Sequence, residues 1–136
     1  MSRLLLDTSA YSAFFRGDAQ AKAAIQDADD ICLNPIVIGE LLAGFGRGKR
    51  RSQNESELAE FLGSPRARVV AINEETASRY AVIVGGLWTA GTPIPTNDVW
   101  IAASAMQHGL EVLTADAHYA LIPQIVVKAL GRAQAS

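Results

Sequence analysis

Four acidic residues stand where a carboxylate could do chemistry. Asp7 directly follows a run of three leucines, and Asp116 comes two residues after the end of a short apolar segment. Asp98 falls in the first turn of a predicted helix, where backbone N–H groups favour an anion. Glu40 shares the apolar stripe of another predicted helix, where an unpaired charge is costly. If these carboxylates meet, they raise one another's proton affinity unless a cation lies among them.

A site made only of carboxylate oxygens selects a hard ion, so the implied metal is Mg²⁺ or Mn²⁺ and not zinc. Such an ion suits hydrolysis of a phosphodiester, because it activates water and neutralises the charge that builds on the scissile phosphate. An aspartate after a strand or in a first helical turn also serves as a simple structural cap. From the residues alone, a metal site and a set of structural acids both stay open.

The predicted elements place these acids by alternating strands with helices. Strands are predicted at residues 3–6, 31–33, 68–72, 111–114 and 125–127. Helices are predicted at residues 10–16, 19–28, 35–46, 55–62, 74–90 and 97–108, with Thr96 as the cap of the last. This alternation predicts an α/β fold with a mostly parallel sheet flanked by helices. Ligands of such folds bind beyond the carboxyl ends of the strands, where Asp7 and Asp116 fall.

Composition predicts a single domain over residues 1–136, since the chain has 49% hydrophobic and 19% charged residues. The lone Cys32 excludes an intramolecular disulfide. The uncharged stretch 80–97 is interrupted by glycine and proline, and the start of the chain lacks a signal-peptide core, so we expect a cytoplasmic protein without a membrane span. A net charge of −2 argues against bulk binding of nucleic acid.

Four segments that carry the acids resemble a known family. They are Leu4–Ala10, Pro35–Gly44, Asp98–Ala103 and Leu113–Tyr119. In this order they are similar to the four acidic motifs of PIN-domain ribonucleases, and most of all to the VapC-type toxins of bacterial toxin–antitoxin pairs. The resemblance spans essentially the whole chain. Trp100 stands where the family usually has a smaller side chain, and Tyr119 replaces a common phenylalanine, which bears on specificity or packing but removes no acid.

The resemblance implies a Rossmann-like PIN fold with five parallel strands in the order 3-2-1-4-5. It also implies a Mg²⁺- or Mn²⁺-dependent endoribonuclease that forms a homodimer and is inhibited by a small cognate antitoxin, alone or in a larger toxin–antitoxin complex. By position, Asp7 and Asp98 would be the principal metal ligands. Asp116 would bind the metal directly or through water, and Glu40 would orient water or a second ion. Hydrogen-bond donors that hold these carboxylates would be Thr8, Ser9 and Thr114.

The densest basic run is a predicted loop with no acid between Glu40 and Glu55. Its cations are Arg47, Lys49, Arg50 and Arg51. They could guide an RNA backbone or pair with acidic residues of an antitoxin, and they could equally form a solvated loop. Of the two histidines, His108 is expected to favour a helix C-terminus, whereas His118 could touch RNA.

Two other functions compete with the nuclease. A phosphotransfer domain would need a lysine after a late strand, and Lys128 is the only one near that position. A non-catalytic PIN-fold module that binds RNA or protein would keep the fold without the chemistry. The presence of all four acids argues against that module, because a site without a cation gains nothing from clustered charges.

Overall fold

Five short strands form one parallel sheet, as the computed structural model of residues 2–131 shows. The strands are β1 (Arg3–Leu6), β2 (Asp30–Leu33), β3 (Ala67–Val69), β4 (Glu111–Thr114) and β5 (Val126–Ala129). The helices are α1 (Thr8–Phe15), α2 (Ala19–Asp27), α3 (Pro35–Arg47), α4 (Arg51–Leu62), α5 (Glu74–Ala90) and α6 (Thr96–His108), followed by a short 3₁₀ helix at Ala117–Leu121. The predicted α/β class is therefore confirmed.

The strand order is β3-β2-β1-β4-β5, which confirms the predicted 3-2-1-4-5 order. The chain runs outward from β1 through β2 to β3 and then returns to add β4 on the other side of β1. The direction of winding therefore changes between β1 and β4. In parallel sheets this crevice, at the carboxyl ends of the strands, is where ligands bind.

The central strands are buried on both sides. Successive side chains of a strand point to opposite faces, yet Leu4, Leu5 and Leu6 are all fully buried. The equivalent stretch of β4, Val112–Thr114, is buried as well. Both faces of the sheet are thus covered. Because both faces are buried, the sequences of the central strands are continuous apolar runs. Within the described part of the chain, no helix is long and apolar enough to cross a membrane.

Local signals in the sequence set most helix boundaries. The Asp18 side chain accepts from the Ala21 N–H at the start of α2, and Asn34 accepts from the Val37 N–H at the start of α3. At their far ends, α5 and α6 stop at Gly91 and Gly109, whose φ angles of 74° and 65° favour glycine. These boundaries fall where the sequence predicts them.

Several boundaries differ from the prediction. Helix α1 begins at Thr8 instead of residue 10, because Asp7 itself is its cap. Helix α6 begins at Thr96, which lies inside the helix, while Pro95 occupies the cap position without a side-chain hydrogen bond. Strand β3 is shortened to Ala67–Val69 because it lies at the sheet edge and pairs only with β2. Strand β5 is shifted by one residue at its start and two at its end, following its register with β4.

A further difference concerns the predicted basic loop, which is shorter than predicted. Helix α3 continues to Arg47 and α4 begins at Arg51, so only residues 48–50 connect them. Arg47 in the last turn of α3 is favourable to the helix dipole. Arg51 forms an ion pair with Glu55 one turn later, at 3.1 Å, which supports the early start of α4.

Candidate active site

Asp7 is held rigidly at the carboxyl end of β1. It is 3% exposed and caps α1, where its Oδ1 accepts from the Ala10 N–H at 2.8 Å and from the Ser9 hydroxyl at 2.7 Å. Its Oδ2 accepts from the Thr114 hydroxyl at 2.6 Å. Three neutral donors therefore fix the carboxylate, and none of them cancels its charge.

Ser9 and Thr114 join the ends of the two central strands. The Thr114 hydroxyl oxygen accepts from the Asp116 N–H at 2.8 Å while its proton goes to Asp7. The Ser9 oxygen accepts from the Ala115 N–H at 2.9 Å. The two hydroxyls thus couple the position of Asp7 to that of the turn that carries Asp116.

Asp98 and Asp116 come together with a histidine. Asp98 lies in the first turn of α6, and Asp116 caps the short 3₁₀ helix. The His118 Nδ1 lies 3.2 Å from Asp98 Oδ2 and 3.0 Å from Asp116 Oδ1. One ligand atom from each of the three residues lies within 4.8 Å of the other two, which is a spacing that a metal ion can bridge. On its other side, Asp98 Oδ1 accepts from the buried Tyr119 hydroxyl at 3.4 Å.

Glu40 is hydrogen-bonded to the sequence neighbours of Asp7 and Asp98. Its Oε1 accepts from the Thr8 hydroxyl, and its Oε2 accepts from the Asn97 amide at 3.0 Å. Thr8 follows Asp7 and Asn97 precedes Asp98, so Glu40 is tied to the neighbours of both acids. The partners explain how an acid can lie on the apolar stripe of α3. Glu40 is not a member of the three-residue group.

Burial and the charges of neighbouring carboxylates raise the pKa of Asp7 and that of Asp98. Burial raises the pKa of Asp98 to about 6, and the negative charges of Asp116 and Asp7 add to the effect while His118 opposes it. Burial also raises the pKa of Asp7, despite the hydrogen bonds from Thr114, Ser9 and Ala10 that favour its charged form. Burial and the same three carboxylates raise the pKa of Tyr119, so its phenol stays a neutral donor.

The donor set fits a divalent cation. Among residues 2–131, no arginine or lysine forms an ion pair with any of the four acids. Carboxylates with raised proton affinity and no internal cation gain most from an external one. Asp98, Asp116 and His118 offer the ligand atoms, and Asp7 contributes its charge from beside them.

Three contributors were not anticipated as parts of the site. Sequence reasoning left His118 as a residue that touches RNA, and it missed Asn97 as the partner of Glu40 and Tyr119 as the partner of Asp98. The available signal was proximity in sequence, since Asn97 adjoins Asp98 while His118 and Tyr119 follow Asp116 by two and three residues. Trp100, by contrast, takes part in packing, because its ring stacks on that of Tyr80 in α5 with ring centroids 4.2 Å apart.

The basic run does not reach the acids. Its four cations are exposed, and across the described residues no hydrogen bond or ion pair joins Arg47, Lys49, Arg50 or Arg51 to the acidic site. Arg47 lies seven residues beyond Glu40, or about 10 Å along the axis of α3. Arg50 instead donates to Gln53.

A doubly wound parallel sheet with an acidic cluster at its switch point defines the class: a Rossmann-like α/β domain with a candidate metal centre. The model of the PIN domain family matches residues 4–124. The chain therefore belongs to the PIN-domain family, and the resemblance seen in its four acidic motifs is confirmed.

Similar proteins agree with this assignment. Ribonuclease VapC4 of Mycobacterium tuberculosis is 32% identical over 92 residues, which cover 68% of this chain and 71% of the relative. Ribonuclease VapC of Rickettsia bellii is 32% identical over 127 residues, which cover 91% of this chain and 93% of the relative. The crystal structure of VapBC2 from Rickettsia felis, bound to a DNA fragment from their promoter, superposes with a TM-score of 0.82 at 22% identity and covers 94% of this chain and 98% of the other.

Proposed function

We propose that this protein is a Mg²⁺- or Mn²⁺-dependent endoribonuclease that hydrolyses RNA phosphodiester bonds as the toxin of a toxin–antitoxin pair. The observation that carries the proposal is the meeting of Asp98, Asp116 and His118 beside Asp7 at the switch point of the sheet, with no lysine or arginine paired to them in the described chain. Two of the similar proteins are named ribonucleases.

The residues that would hold the ion are Asp7 and Asp98 as principal ligands, with Asp116 binding it directly or through water. A divalent ion bound there supplies Lewis-acid stabilisation of the phosphate and a more acidic water. Asp7 keeps a fixed orientation through Thr114, Ser9 and the backbone of α1, so its charge does not reorganise during the reaction.

Glu40 would orient the attacking water or a second ion. The Thr8 hydroxyl and the Asn97 amide hold its two oxygens and leave each with a free lone pair. The remaining lone pairs can accept a proton-bearing ligand without loss of the existing contacts. This assigns Thr8 to the orientation of Glu40, and Ser9 and Thr114 to that of Asp7.

The partners follow from the same family resemblance. We propose that RNA is the substrate, that a small cognate antitoxin inhibits the enzyme, and that the chain forms a homodimer, alone or within a larger toxin–antitoxin complex. The basic run at residues 47–51 would assist the RNA backbone or the antitoxin from outside the acidic site. Its exposure supports a role in binding and not in the chemical step.

The geometry does not favour phosphotransfer. Lys128 lies in β5 and lines a groove with Asp27 of α2, together with residues 129–131 that follow it. Among the described residues, no ion pair joins Lys128 to Asp7, the candidate acceptor. The non-catalytic binding module remains the alternative to the nuclease, and it differs in one respect: it predicts no cleavage.

The test is cleavage of labelled RNA by the purified chain with Mg²⁺, with Mn²⁺ and with chelator. We expect cleavage that needs the ion and that is abolished in Asp7→Asn and Asp98→Asn. Asp30→Asn is the matched control, because Asp30 lies at the opposite end of the sheet. Equal cleavage by the wild type and the two site variants would show that the acids are not the active site.

Expression in bacteria tests the toxin role separately. We expect growth arrest with the wild-type chain, relief by Asp98→Asn, and relief by the product of a small neighbouring open reading frame. If bacteria that express the active wild-type chain grow normally, the toxin role is contradicted, while the nuclease activity is not.

A further inference from the structure

The His118 imidazole lies between two carboxylates that come from different elements. Its Nδ1 is 3.2 Å from Asp98 Oδ2 in α6 and 3.0 Å from Asp116 Oδ1 at the cap of the 3₁₀ helix. The His118 side chain is 46% exposed, whereas those of Asp98 and Asp116 are 14% and 32% exposed. The imidazole therefore lies at the mouth of the site and points the same nitrogen at both acids.

Hydrogen bonding accounts for only one of these two contacts. Nδ1 carries at most one proton, so it can donate one full hydrogen bond. Asp116 Oδ1 also accepts the His118 backbone N–H at 2.9 Å, which already satisfies part of that oxygen. When Nδ1 carries a proton, the two carboxylates share a single donor, and when Nδ1 carries a lone pair, neither contact contains a proton. A cation bound by both carboxylates and by the Nδ1 lone pair satisfies all three atoms at once.

The spacing matches neighbouring ligands of an octahedral ion. Donors bound at about 2.1 Å on adjacent corners are separated by about 3.0 Å, and those on opposite corners by about 4.2 Å. The two nitrogen–oxygen distances are 3.2 and 3.0 Å, and all three donor atoms lie within 4.8 Å of one another. One ion can therefore contact Nδ1 and both carboxylates with little movement of the side chains.

We propose that His118 is a direct ligand, through Nδ1, of the divalent ion at this site, and that its nitrogen makes the site prefer Mn²⁺ to Mg²⁺. This inference rests on the proposed function, since it concerns the same ion. Mg²⁺ is a small hard ion that favours oxygen ligands and retains its waters, whereas imidazole nitrogen suits transition-metal ions. Carboxylates alone would not distinguish the two ions to the same degree.

The chain offers a matched pair of variants, because it contains two histidines. His118→Gln replaces the nitrogen ligand by an amide oxygen, and the exposed position should tolerate the change. His108→Gln is the control, since His108 is the last residue of α6, ten residues and about 15 Å along the helix axis from Asp98. Both variants are made in the full chain without a histidine tag.

Electron spin-echo envelope modulation of bound Mn²⁺ detects a directly coordinated imidazole nitrogen. We expect that signal in the wild type and in His108→Gln, and its loss in His118→Gln. Calorimetric titration should show that His118→Gln weakens Mn²⁺ binding by about tenfold and changes Mg²⁺ binding by less than about threefold. Both results together support the inference.

Three outcomes separate this inference from the proposed function. Mn²⁺ that binds in an Asp98-dependent way without a nitrogen signal overturns the ligand role of His118 and leaves the nuclease proposal intact. A nitrogen-ligated ion in a chain that cleaves no RNA supports the ligand and overturns the nuclease. A wild-type chain that binds neither Mn²⁺ nor Mg²⁺ overturns the ligand role together with the metal dependence of the nuclease.

Discussion

The two ends of the sheet treat their acids in opposite ways. At the amino end, Asp30 of β2 lies between Arg3 and Arg68, and each Nε is 3.2 Å from one of its oxygens. The hydrogen bond from Arg68 and the one from Arg3 hold the pKa of Asp30 below its usual value. At the carboxyl end, burial raises the pKa of Asp7 and raises that of Asp98 to about 6.

The two ends of the sheet differ in the source of the positive charge that neutralises their acids. Asp30 receives two guanidinium groups from the strands on either side and is neutralised within the fold. Within residues 2–131, Asp7 receives only hydroxyl and backbone donors, which orient a carboxylate without cancelling its charge. An acid that is oriented but not neutralised is suited to an ion from solution. The contrast separates a structural acid from candidate functional acids in one sheet.

The largest expected effect is the loss of cleavage in Asp98→Asn. Replacing this carboxylate removes a proposed metal ligand, so we expect the rate of RNA cleavage to fall by at least about a hundredfold. Asp30→Asn should keep most of the activity, because its partners are structural. Rates measured at fixed Mn²⁺ concentration check this comparison. If both variants lose activity equally, the two ends of the sheet do not differ as described.

Thr114→Val should have the next largest effect. The change removes the donor to Asp7 and the acceptor for the Asp116 N–H in a nearly fully buried position. We expect cleavage to fall about ten- to hundredfold and the free energy of unfolding to fall by about 1–3 kcal/mol. Thr89→Val is the matched control, because Thr89 is exposed and its hydroxyl donates to the Gly85 carbonyl within α5. Full activity in Thr114→Val would mean that Asp7 does not need the hydrogen bond from the Thr114 hydroxyl.

The pH dependence of Mn²⁺ binding should follow the protonation of the Asp98 carboxylate. Its pKa is raised to about 6, so below that pH a proton occupies the carboxylate and competes with the ion. We expect the apparent affinity to be constant above about pH 7 and to fall by up to about tenfold per unit below pH 6. Titrations at pH 5, 6, 7 and 8 measure this. A profile that stays flat through pH 5 would contradict the assigned state of Asp98.

The smallest expected effect concerns the basic run. Replacing Arg47, Arg50 and Arg51 together by alanine should weaken RNA binding severalfold and reduce its dependence on salt, with little change in the rate at saturating RNA. Arg79→Ala is the control, because Arg79 is paired with Glu75 on α5. Unchanged affinity and unchanged salt dependence would assign the run to solvent or to a protein partner.

The fold class, the strand order and the position of the acids at the sheet edge could be predicted from the sequence. Alternating apolar runs and helix caps predicted the α/β class, and the family resemblance predicted the strand order, because both depend on patterns that persist along the chain. The meeting of Asp98 and Asp116 followed from their positions after strands and in a first helical turn. The structure thus puts the acids at the edge where parallel sheets bind ligands.

Side-chain direction could not be read from the sequence in the same way. The imidazole of His118 turns back towards Asp98 because a 3₁₀ helix, which lacks a strong sequence signal, follows Asp116. The start of α4 at Arg51 has no side-chain cap, and the exposed Arg51–Glu55 ion pair adds only a small stabilisation there. The Arg3–Asp30–Arg68 arrangement depends on strand register, which only the assembled sheet defines.

Thermal unfolding at pH 8, with chelator and with Mn²⁺, tests the difference between the two ends most directly. With chelator, Asp98→Asn should unfold at a higher temperature than the wild type, since it removes a charge that the fold leaves uncompensated. We expect its free energy of unfolding to be higher by an amount on the order of 1 kcal/mol after solvent screening. Asp30→Asn should unfold at a lower temperature. Mn²⁺ at about a hundredfold excess over its Kd should stabilise the wild type and Asp30→Asn by about 2.7 kcal/mol and leave Asp98→Asn nearly unchanged. An Asp98→Asn chain that gains as much from Mn²⁺ as the wild type would contradict the metal centre.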